Sequence, residues 1–296
     1  MTSSKKLNGI IIPIITPFDD NGDLSPDRAG ALIERQIEVG VQGFYVGGSS
    51  GEGLLQSIAE RCEFLCYVSE VNKGRVALIA QVGALSSRDA WSLADFAAEN
   101  GYDVVSSTPP FYFNYSEDEV IAYYMELAER SALPVLLYNI PGTTGRNLSI
   151  EAQVEMLKHA NVIGSKHTET NFYNAERLMR KAEGALIFNG PDEMLTAGLA
   201  MGMAGGIGST YNLMPRLYLD IYQSVQNNEL EKARASQRIA NDVIYELLNI
   251  SSGVVPGIKL GLKTLGYDVG CSRKPFQPIV ADTKRFEQLL LECEGL

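Results

Sequence analysis

The sequence is poor in histidine, in cysteine and in long apolar runs, and each shortage excludes a class of protein. It has two histidines, His159 and His167, and four scattered cysteines, which are too few and too dispersed for a structural zinc site. The apolar run Ile10–Ile15 is interrupted by Pro13 and is far too short to cross a bilayer. The polar segment Met1–Leu7 has no apolar core, so we expect no secretory signal.

Basic residues are also scarce. The chain has 25 Lys and Arg against 36 Asp and Glu, and its formal net charge is −11. Binding to nucleic acid or to an anionic membrane requires a cationic surface, so the composition argues against both partners. Cys62 and Cys66 stand four apart in a helical pattern and are expected to be small buried side chains. With Cys271 and Cys293 they indicate a reduced, cytoplasmic, metal-free protein.

Eight short apolar runs recur along the chain, separated by segments with helical periodicity. The runs are Gly9–Ile15, Gly43–Val46, Val76–Val82, Val104–Ser107, Val135–Tyr138, Val162–Lys166, Ala185–Asn189 and Gly205–Ser209. Nearly continuous apolar residues are typical of parallel strands that are buried on both faces. An open doubly wound sheet is the alternative, but it usually has a glycine-rich phosphate loop after its first strand, where this chain has Thr16-Pro17-Phe18-Asp19. We therefore predict a (β/α)₈ barrel.

The helical segments support this architecture. Ser57–Glu60 and Ser116–Glu119 are each typical of a capping box that opens a helix. Helices are predicted at Ala90–Glu99, Glu119–Glu129, Leu217–Val225, Glu229–Leu248 and Lys284–Glu292, with an irregular stretch around Pro256. The pattern of strands ends near Arg216. We predict a catalytic barrel at 1–224 and a helical appendage at 225–296.

Active sites of such barrels lie where the strands end, at the carboxyl face. The second strand is followed by Gly47-Gly48-Ser49-Ser50-Gly51-Glu52, whose backbone N–H groups and two hydroxyls suit a carboxylate. An ordinary glycine-rich turn is the alternative interpretation. The fifth strand ends in Tyr138, whose hydroxyl can move protons in the barrel mouth. A tyrosine that merely packs at the rim is the alternative there.

The sixth strand ends in Lys166. Lysine is rarely buried without a reason, and an amine removed from water is a nucleophile toward carbonyl carbon when it is neutral. The alternative is a lysine that reaches solvent or pairs with a carboxylate. His167 follows Lys166, so strand alternation directs it to the opposite face, and we interpret it as structural.

The seventh and eighth strands end in polar loops, Asn189-Gly190-Pro191-Asp192-Glu193 and Gly205-Gly206-Ile207-Gly208-Ser209-Thr210. Carboxylates accept hydrogen bonds from hydroxyl groups, so these loops suit a polyol. The alternative is that the acidic pair only favours the start of a helix.

These motifs together resemble the class I pyruvate aldolase family, which includes N-acetylneuraminate lyases and dihydrodipicolinate synthases. The resemblance is carried by Gly47–Glu52, Tyr138-Asn139-Ile140-Pro141, Gly164–Thr168 and Gly206–Asn212, and it extends to Arg273-Lys274-Pro275-Phe276. Within the family, the resemblance is strongest to the N-acetylneuraminate lyases. The resemblance implies a (β/α)₈ barrel that cleaves N-acetylneuraminate reversibly to pyruvate and N-acetylmannosamine. It also implies a homotetramer, and the reaction needs no metal or other cofactor.

The resemblance also implies roles for residues. Lys166 would form a Schiff base with pyruvate, Tyr138 would shuttle protons, and Ser49 with Ser50 would hold the pyruvate carboxylate. Tyr112 matches a tyrosine that supports the hydroxyl relay, often from a neighbouring subunit. The sugar part would be bound by Thr168, Gly190, Asp192, Glu193, Gly208 and Ser209.

Three positions depart from the patterns of the family. Thr143 stands where dihydrodipicolinate synthases usually have an arginine for a dicarboxylic substrate, which weakens that interpretation. Ser50 replaces a threonine and keeps the hydroxyl, whereas Pro191 replaces a bulky residue and reshapes the sugar loop. Two alternatives stay open: an aldolase for another 2-keto-3-deoxy sugar acid, and a barrel that binds a sugar acid or a protein without catalysis.

Overall fold

Eight parallel strands close into a barrel in chain order, and the first pairs with the last. The computed structural model describes residues 7–250 and 253–294, so the segment Met1–Leu7 lies outside the described residues except for Leu7. The strands are β1 Gly9–Pro13, β2 Gly43–Val46, β3 Ala77–Gln81, β4 Val104–Ser107, β5 Val135–Asn139, β6 Val162–His167, β7 Leu186–Asn189 and β8 Gly205–Ile207. The predicted (β/α)₈ barrel is confirmed, and each predicted run matches one strand, with β5 and β6 each extending one residue past the run.

Alternation along the strands explains why the apolar runs are continuous. In β2, Tyr45 belongs to the cluster that fills the barrel, whereas Phe44 and Val46 belong to the cluster under the helices. Ile11 and Ile207 join the inner cluster from β1 and β8. Because both faces of each strand are covered, no polar alternation is required.

Twelve helices surround or extend the barrel in the described residues. They are α1 Gly30–Val39, α2 Ile58–Asn72, α3 Ser87–Glu99, α4 Glu117–Arg130, α5 Pro141–Thr144, α6 Ile150–Leu157, α7 Phe172–Lys181, α8 Leu195–Ala200, α9 Pro215–Gln226, α10 Leu230–Ile250, α11 Val254–Thr264 and α12 Lys284–Glu294. The two predicted capping boxes, at Ser57 before α2 and Ser116 before α4, are confirmed with both reciprocal hydrogen bonds. Short 3₁₀ turns lie at Gly53–Leu55, Asp192–Met194 and Ser209–Asn212.

The appendage consists of helices α10 to α12, and one prediction for it was wrong. The stretch around Pro256 is helical, not irregular, because it lies in α11. Pro256 is the third residue of that helix, where the backbone N–H has no acceptor within the helix, so proline removes no hydrogen bond. The predicted boundary at 224/225 falls in the last turn of α9 and stays a prediction.

The cysteines also differ from expectation. Cys62 and Cys66 are half-buried rather than buried, because the buried residues of α2 are their neighbours Arg61, Phe64, Leu65 and Val68. All four thiols are free. Within residues 7–250 and 253–294, no three His, Cys, Asp or Glu side chains are grouped to hold a metal ion. No helix in the same ranges combines the length and the apolar character needed to cross a membrane.

Candidate active site

Lys166 and Tyr138 meet at the carboxyl end of the barrel. The register of β5 and β6 places them side by side, with Phe188 of β7 on the other side of the lysine. The Nζ of Lys166 donates a hydrogen bond to the Tyr138 hydroxyl at 3.1 Å. Both residues are buried, with exposures of 5% and 2%. The structure therefore brings together the predicted nucleophile and the predicted proton shuttle.

Two aromatic rings surround the amine. The Nζ of Lys166 lies 4.2 Å from the ring centroid of Tyr138 and 4.9 Å from that of Tyr45. Burial raises the pKa of Tyr45 well above its ordinary value, so its hydroxyl stays protonated and donates to Ser106 at 3.0 Å. Ring faces stabilise a cation, and a protonated imine at this nitrogen would gain from both. The sequence reasoning missed Tyr45, although its position on β2 directs it into the barrel.

The loop after β2 is held by its own backbone. The N–H of Glu52 donates to the carbonyl of Ser49, and the N–H of Gly53 donates to that of Gly48, both at 3.1 Å. Ser50 is buried, whereas Ser49 is exposed on the rim. The two hydroxyls are thus presented from one fixed turn.

Ser50 and Ser209 are hydrogen-bonded to each other, with their oxygens 2.6 Å apart and either one able to donate. The sequence reasoning placed them in different parts of the site, one on the carboxylate and one on the sugar. The closed barrel brings them together because β2 and β8 both flank β1.

Asp192 is buried and already engaged within the chain. Its Oδ2 accepts from the N–H and the hydroxyl of Thr210, both at 2.7 Å. Burial raises the pKa of Asp192 from 3.8 to about 6, against the smaller effects of Thr210 and Lys166. A Cβ at Gly208 would stand 2.0 Å from Oδ1, so only glycine fits there. One oxygen of Asp192 therefore holds the loop after β8, and Oδ1 faces Gly208.

Thr168 and Gly190 lie against each other at the ends of β6 and β7. A Cβ at Gly190 would stand 2.1 Å from the Thr168 hydroxyl oxygen, so a side chain is excluded. Among the described residues, no group hydrogen-bonds this buried oxygen. Glu193 is exposed and follows Asp192 in the 3₁₀ turn before α8. The loops after β6 and β7 thus contain a hydroxyl without a hydrogen-bond partner and an exposed carboxylate.

Tyr112 and Thr143 lie farther out. Tyr112 is 74% exposed and packs edge-on against Phe113 with ring centroids 5.1 Å apart, so within one chain it is at the surface. Thr143 lines a mostly apolar cavity of about 270 Å³ together with Ser49, Thr108 and Phe111. Thr108 was missed by the sequence reasoning. Its buried hydroxyl has no hydrogen-bond partner within the described ranges.

His167 lies on the outer face of β6, as alternation predicted. Its neighbour Ser165 contacts Gln153 of α6 on that same face. Burial lowers the pKa of His167, against the weaker attraction of Glu169, whose Oε2 is 3.8 Å away. His167 is therefore a neutral side chain of the outer layer.

The fold and this arrangement define the chain as a (β/α)₈ barrel with a buried lysine on its sixth strand, beside a tyrosine of the fifth. It belongs to the dihydrodipicolinate synthetase family, whose family model matches residues 6–292.

Relatives within the family are similar over almost the whole chain. It is 42% identical to an N-acetylneuraminate lyase of Rhizobium meliloti (strain 1021), over 93% of this chain and 91% of that protein. It is 36% identical to N-acetylneuraminate lyase 2 of an Escherichia coli O6:H1 strain, over 93% and 90%. The solved structure of a catalytic lysine mutant of the Ruminococcus gnavus sialic acid aldolase is 30% identical with a TM-score of 0.95, over 100% of this chain and 99% of that one.

Proposed function

We propose that this protein is an aldolase that cleaves N-acetylneuraminate reversibly to pyruvate and N-acetylmannosamine, with Lys166 as the nucleophile. The observation that carries the proposal is the buried Lys166 amine, which lies 3.1 Å from the Tyr138 hydroxyl. The barrel that holds both residues matches the family model over residues 6–292. The similarity to N-acetylneuraminate lyases over 93% of the chain selects the substrate.

The first step is attack of neutral Lys166 on the keto carbon of the substrate. The carbonyl oxygen leaves as water with one proton from Nζ and one proton from solvent, so Nζ keeps its other proton. The product is an iminium ion, whose positive charge lies against the rings of Tyr138 and Tyr45. This cation is the electron sink for the next step.

The second step breaks the bond between C3 and C4. The hydroxyl on C4 loses its proton, its electrons form the aldehyde carbonyl, and the electrons of the C3–C4 bond move into the iminium to give an enamine. Tyr138 is the proposed proton acceptor for the C4 hydroxyl. Protonation of the enamine at C3 and hydrolysis of the imine then release pyruvate and free Lys166.

Binding of the two products is divided between loops. Ser49 and Ser50 are proposed to hold the pyruvate carboxylate through hydroxyl and backbone N–H donors. The neutral sugar is proposed to bind at Thr168, Gly190, Asp192, Glu193, Gly208 and Ser209. The hydroxyl of Thr168 and the exposed carboxylate of Glu193 support this role, because both can serve hydroxyl groups of a sugar.

The proposal includes a cytoplasmic homotetramer in which Tyr112 completes the relay of a neighbouring subunit. Its support is the exposed apolar surface that surrounds this tyrosine. Tyr112 and Phe113 are 74% and 66% exposed, and Leu54, which is 55% exposed, lines the same cavity as their neighbour Phe111. Light scattering of the purified protein tests the assembly.

Borohydride trapping tests the reaction class. The intact mass is measured after mixing the protein with pyruvate and sodium borohydride, and the adduct is located by peptide mapping. We expect one reduced pyruvyl adduct on Lys166, and none on the exposed Lys158. A folded sample without an adduct would rule out the aldolase. An adduct without cleavage of N-acetylneuraminate would redirect the proposal to another 2-keto-3-deoxy sugar acid.

A further inference from the structure

A buried ion pair joins the loop after β2 to the appendage. The Nζ of Lys259, on α11, lies 2.7 Å from Oε1 of Glu52. The side chains are 3% and 0% exposed. The other carboxylate oxygen of Glu52 accepts the backbone N–H of Arg273 at 2.8 Å. Both oxygens of one loop residue are thus bound by the C-terminal part of the chain, and none of these groups reacts in the proposed mechanism.

Glu52 also has an unusual backbone. Its φ is +53°, in the left-handed region that residues with a side chain rarely adopt. In this conformation its N–H donates to the carbonyl of Ser49 at 3.1 Å. A return to negative φ would redirect the chain that carries the serines. Lys259 and Arg273, which bind the Glu52 carboxylate, therefore hold a disfavoured turn in place.

Arg273 and Lys259 also contact residues of the barrel. The Arg273 guanidinium forms an ion pair with Glu60 of α2 and donates to the carbonyls of Gly22 and Leu55 at 2.7 and 2.9 Å. This pairing lowers the pKa of Glu60 to about 2. The ring of Phe18, after β1, lies 4.2 Å from the Arg273 guanidinium carbon and 4.5 Å from the Lys259 amine. Glu52 is therefore held against rigid elements.

We propose that Glu52, held by Lys259 and Arg273, is a positioning residue that sets the affinity for the pyruvate carboxylate. The inference rests on the proposed function, since it assigns the keto-acid carboxylate to the loop of Ser49 and Ser50. Its consequence is that the appendage contributes to substrate binding as well as to stability. A displaced loop weakens binding equally in the ground state and the transition state, so KM changes while kcat does not.

Four variants test this in condensation of pyruvate with N-acetylmannosamine. Glu52→Gln and Lys259→Met each remove one charge, and we expect the KM for pyruvate to rise about tenfold with kcat within about threefold of wild type. Glu52→Gly permits the left-handed turn but removes the tether, so its KM should rise as much. Glu294→Gln is the matched control, because Glu294 pairs with Arg35 and also joins the appendage to the barrel, but away from this loop.

The outcomes separate the two proposals. All assays are made below the melting temperature of each variant, with borohydride trapping at increasing pyruvate as a second measure of affinity. If wild type traps pyruvate and Glu52→Gln traps it with an unchanged concentration dependence, the positioning role is wrong and the aldolase stands. A Glu52→Gly variant with wild-type KM would likewise overturn it. If wild type traps no pyruvate, the proposed function itself fails.

Discussion

The two halves of the candidate site differ in charge. The half around Lys166 offers a lysine, a tyrosine and the hydroxyls of Ser49 and Ser50, and within the described residues no carboxylate is hydrogen-bonded to either serine hydroxyl. The other half, the sugar half, contains Asp192 and Glu193. An anionic keto acid suits the first half, because two close carboxylates repel each other. A neutral polyol suits the second, because carboxylates accept hydrogen bonds from hydroxyls.

This division explains how a chain with a net charge of −11 can bind an anion. Long-range attraction does not assist an anionic substrate, so the local donors must provide the affinity. The halves meet at the hydrogen bond between Ser50 and Ser209. Variants on either side, and at that bond, can therefore show whether the halves act separately.

The largest effect is expected at the nucleophile. Lys166→Ala removes the amine that forms the imine, and we expect turnover to fall by at least about 10³-fold. The substitution also empties the space between Tyr138 and Tyr45, so circular dichroism must confirm the fold. Cleavage of N-acetylneuraminate is followed by release of pyruvate. Substantial remaining activity would contradict the assignment.

A smaller loss is expected at the tyrosine. Tyr138→Phe keeps the ring beside Lys166 but removes the hydroxyl, and we expect kcat to fall by about 10²–10⁴-fold, as is typical for loss of a proton-transfer group. Borohydride trapping of pyruvate should persist, because the amine remains. A variant that loses trapping as fully as turnover would place the tyrosine in imine formation instead.

Much of this first half could be predicted from the sequence. The continuous apolar runs determine the strands, and alternation sends Lys166 inward and His167 outward. The contact between Lys166 and Tyr138 follows once β5 and β6 are adjacent. The pair of Glu52 and Lys259 could not be predicted, because no periodicity relates a loop after the second strand to a helix near the end of the chain. The helix around Pro256 was missed because a proline in its first turn resembles an interruption.

The sugar half provides the pH-dependent prediction. Asp192 has a pKa of about 6, so it is largely protonated at pH 5 and then accepts hydrogen bonds poorly. We expect the KM of wild type for N-acetylmannosamine in condensation to rise as pH falls through about 6. The KM of Asp192→Asn should be raised by about tenfold and should not depend on pH in this way. The KM for pyruvate should not follow the same profile. A shared profile would mean that the two halves are not separate.

The free energy of unfolding of Asp192→Asn provides a control. Protonation of Asp192 is expected to weaken sugar binding, but it stabilises the folded protein. Because the folded pKa of Asp192 lies above the unfolded value of 3.8, the folded state binds the extra proton between these values. Its contribution to stability therefore falls as pH rises from 3.8 to about 6. Relative to wild type, Asp192→Asn should become more stable over this window, by at most about 3 kcal/mol. Urea unfolding at pH 4 and pH 7 measures the difference.

The smallest expected effect lies at the bond between the halves. A bound carboxylate only accepts, so Ser50 must donate to it and Ser209 must then donate to Ser50. Removing Ser209 shortens this chain of donors, and we expect Ser209→Ala to weaken pyruvate binding by about two- to fivefold, less than Ser50→Ala. The double variant should lose no more than Ser50→Ala alone. Losses that multiply, measured by trapping against pyruvate concentration, would show that Ser209 contributes to pyruvate binding without acting through Ser50.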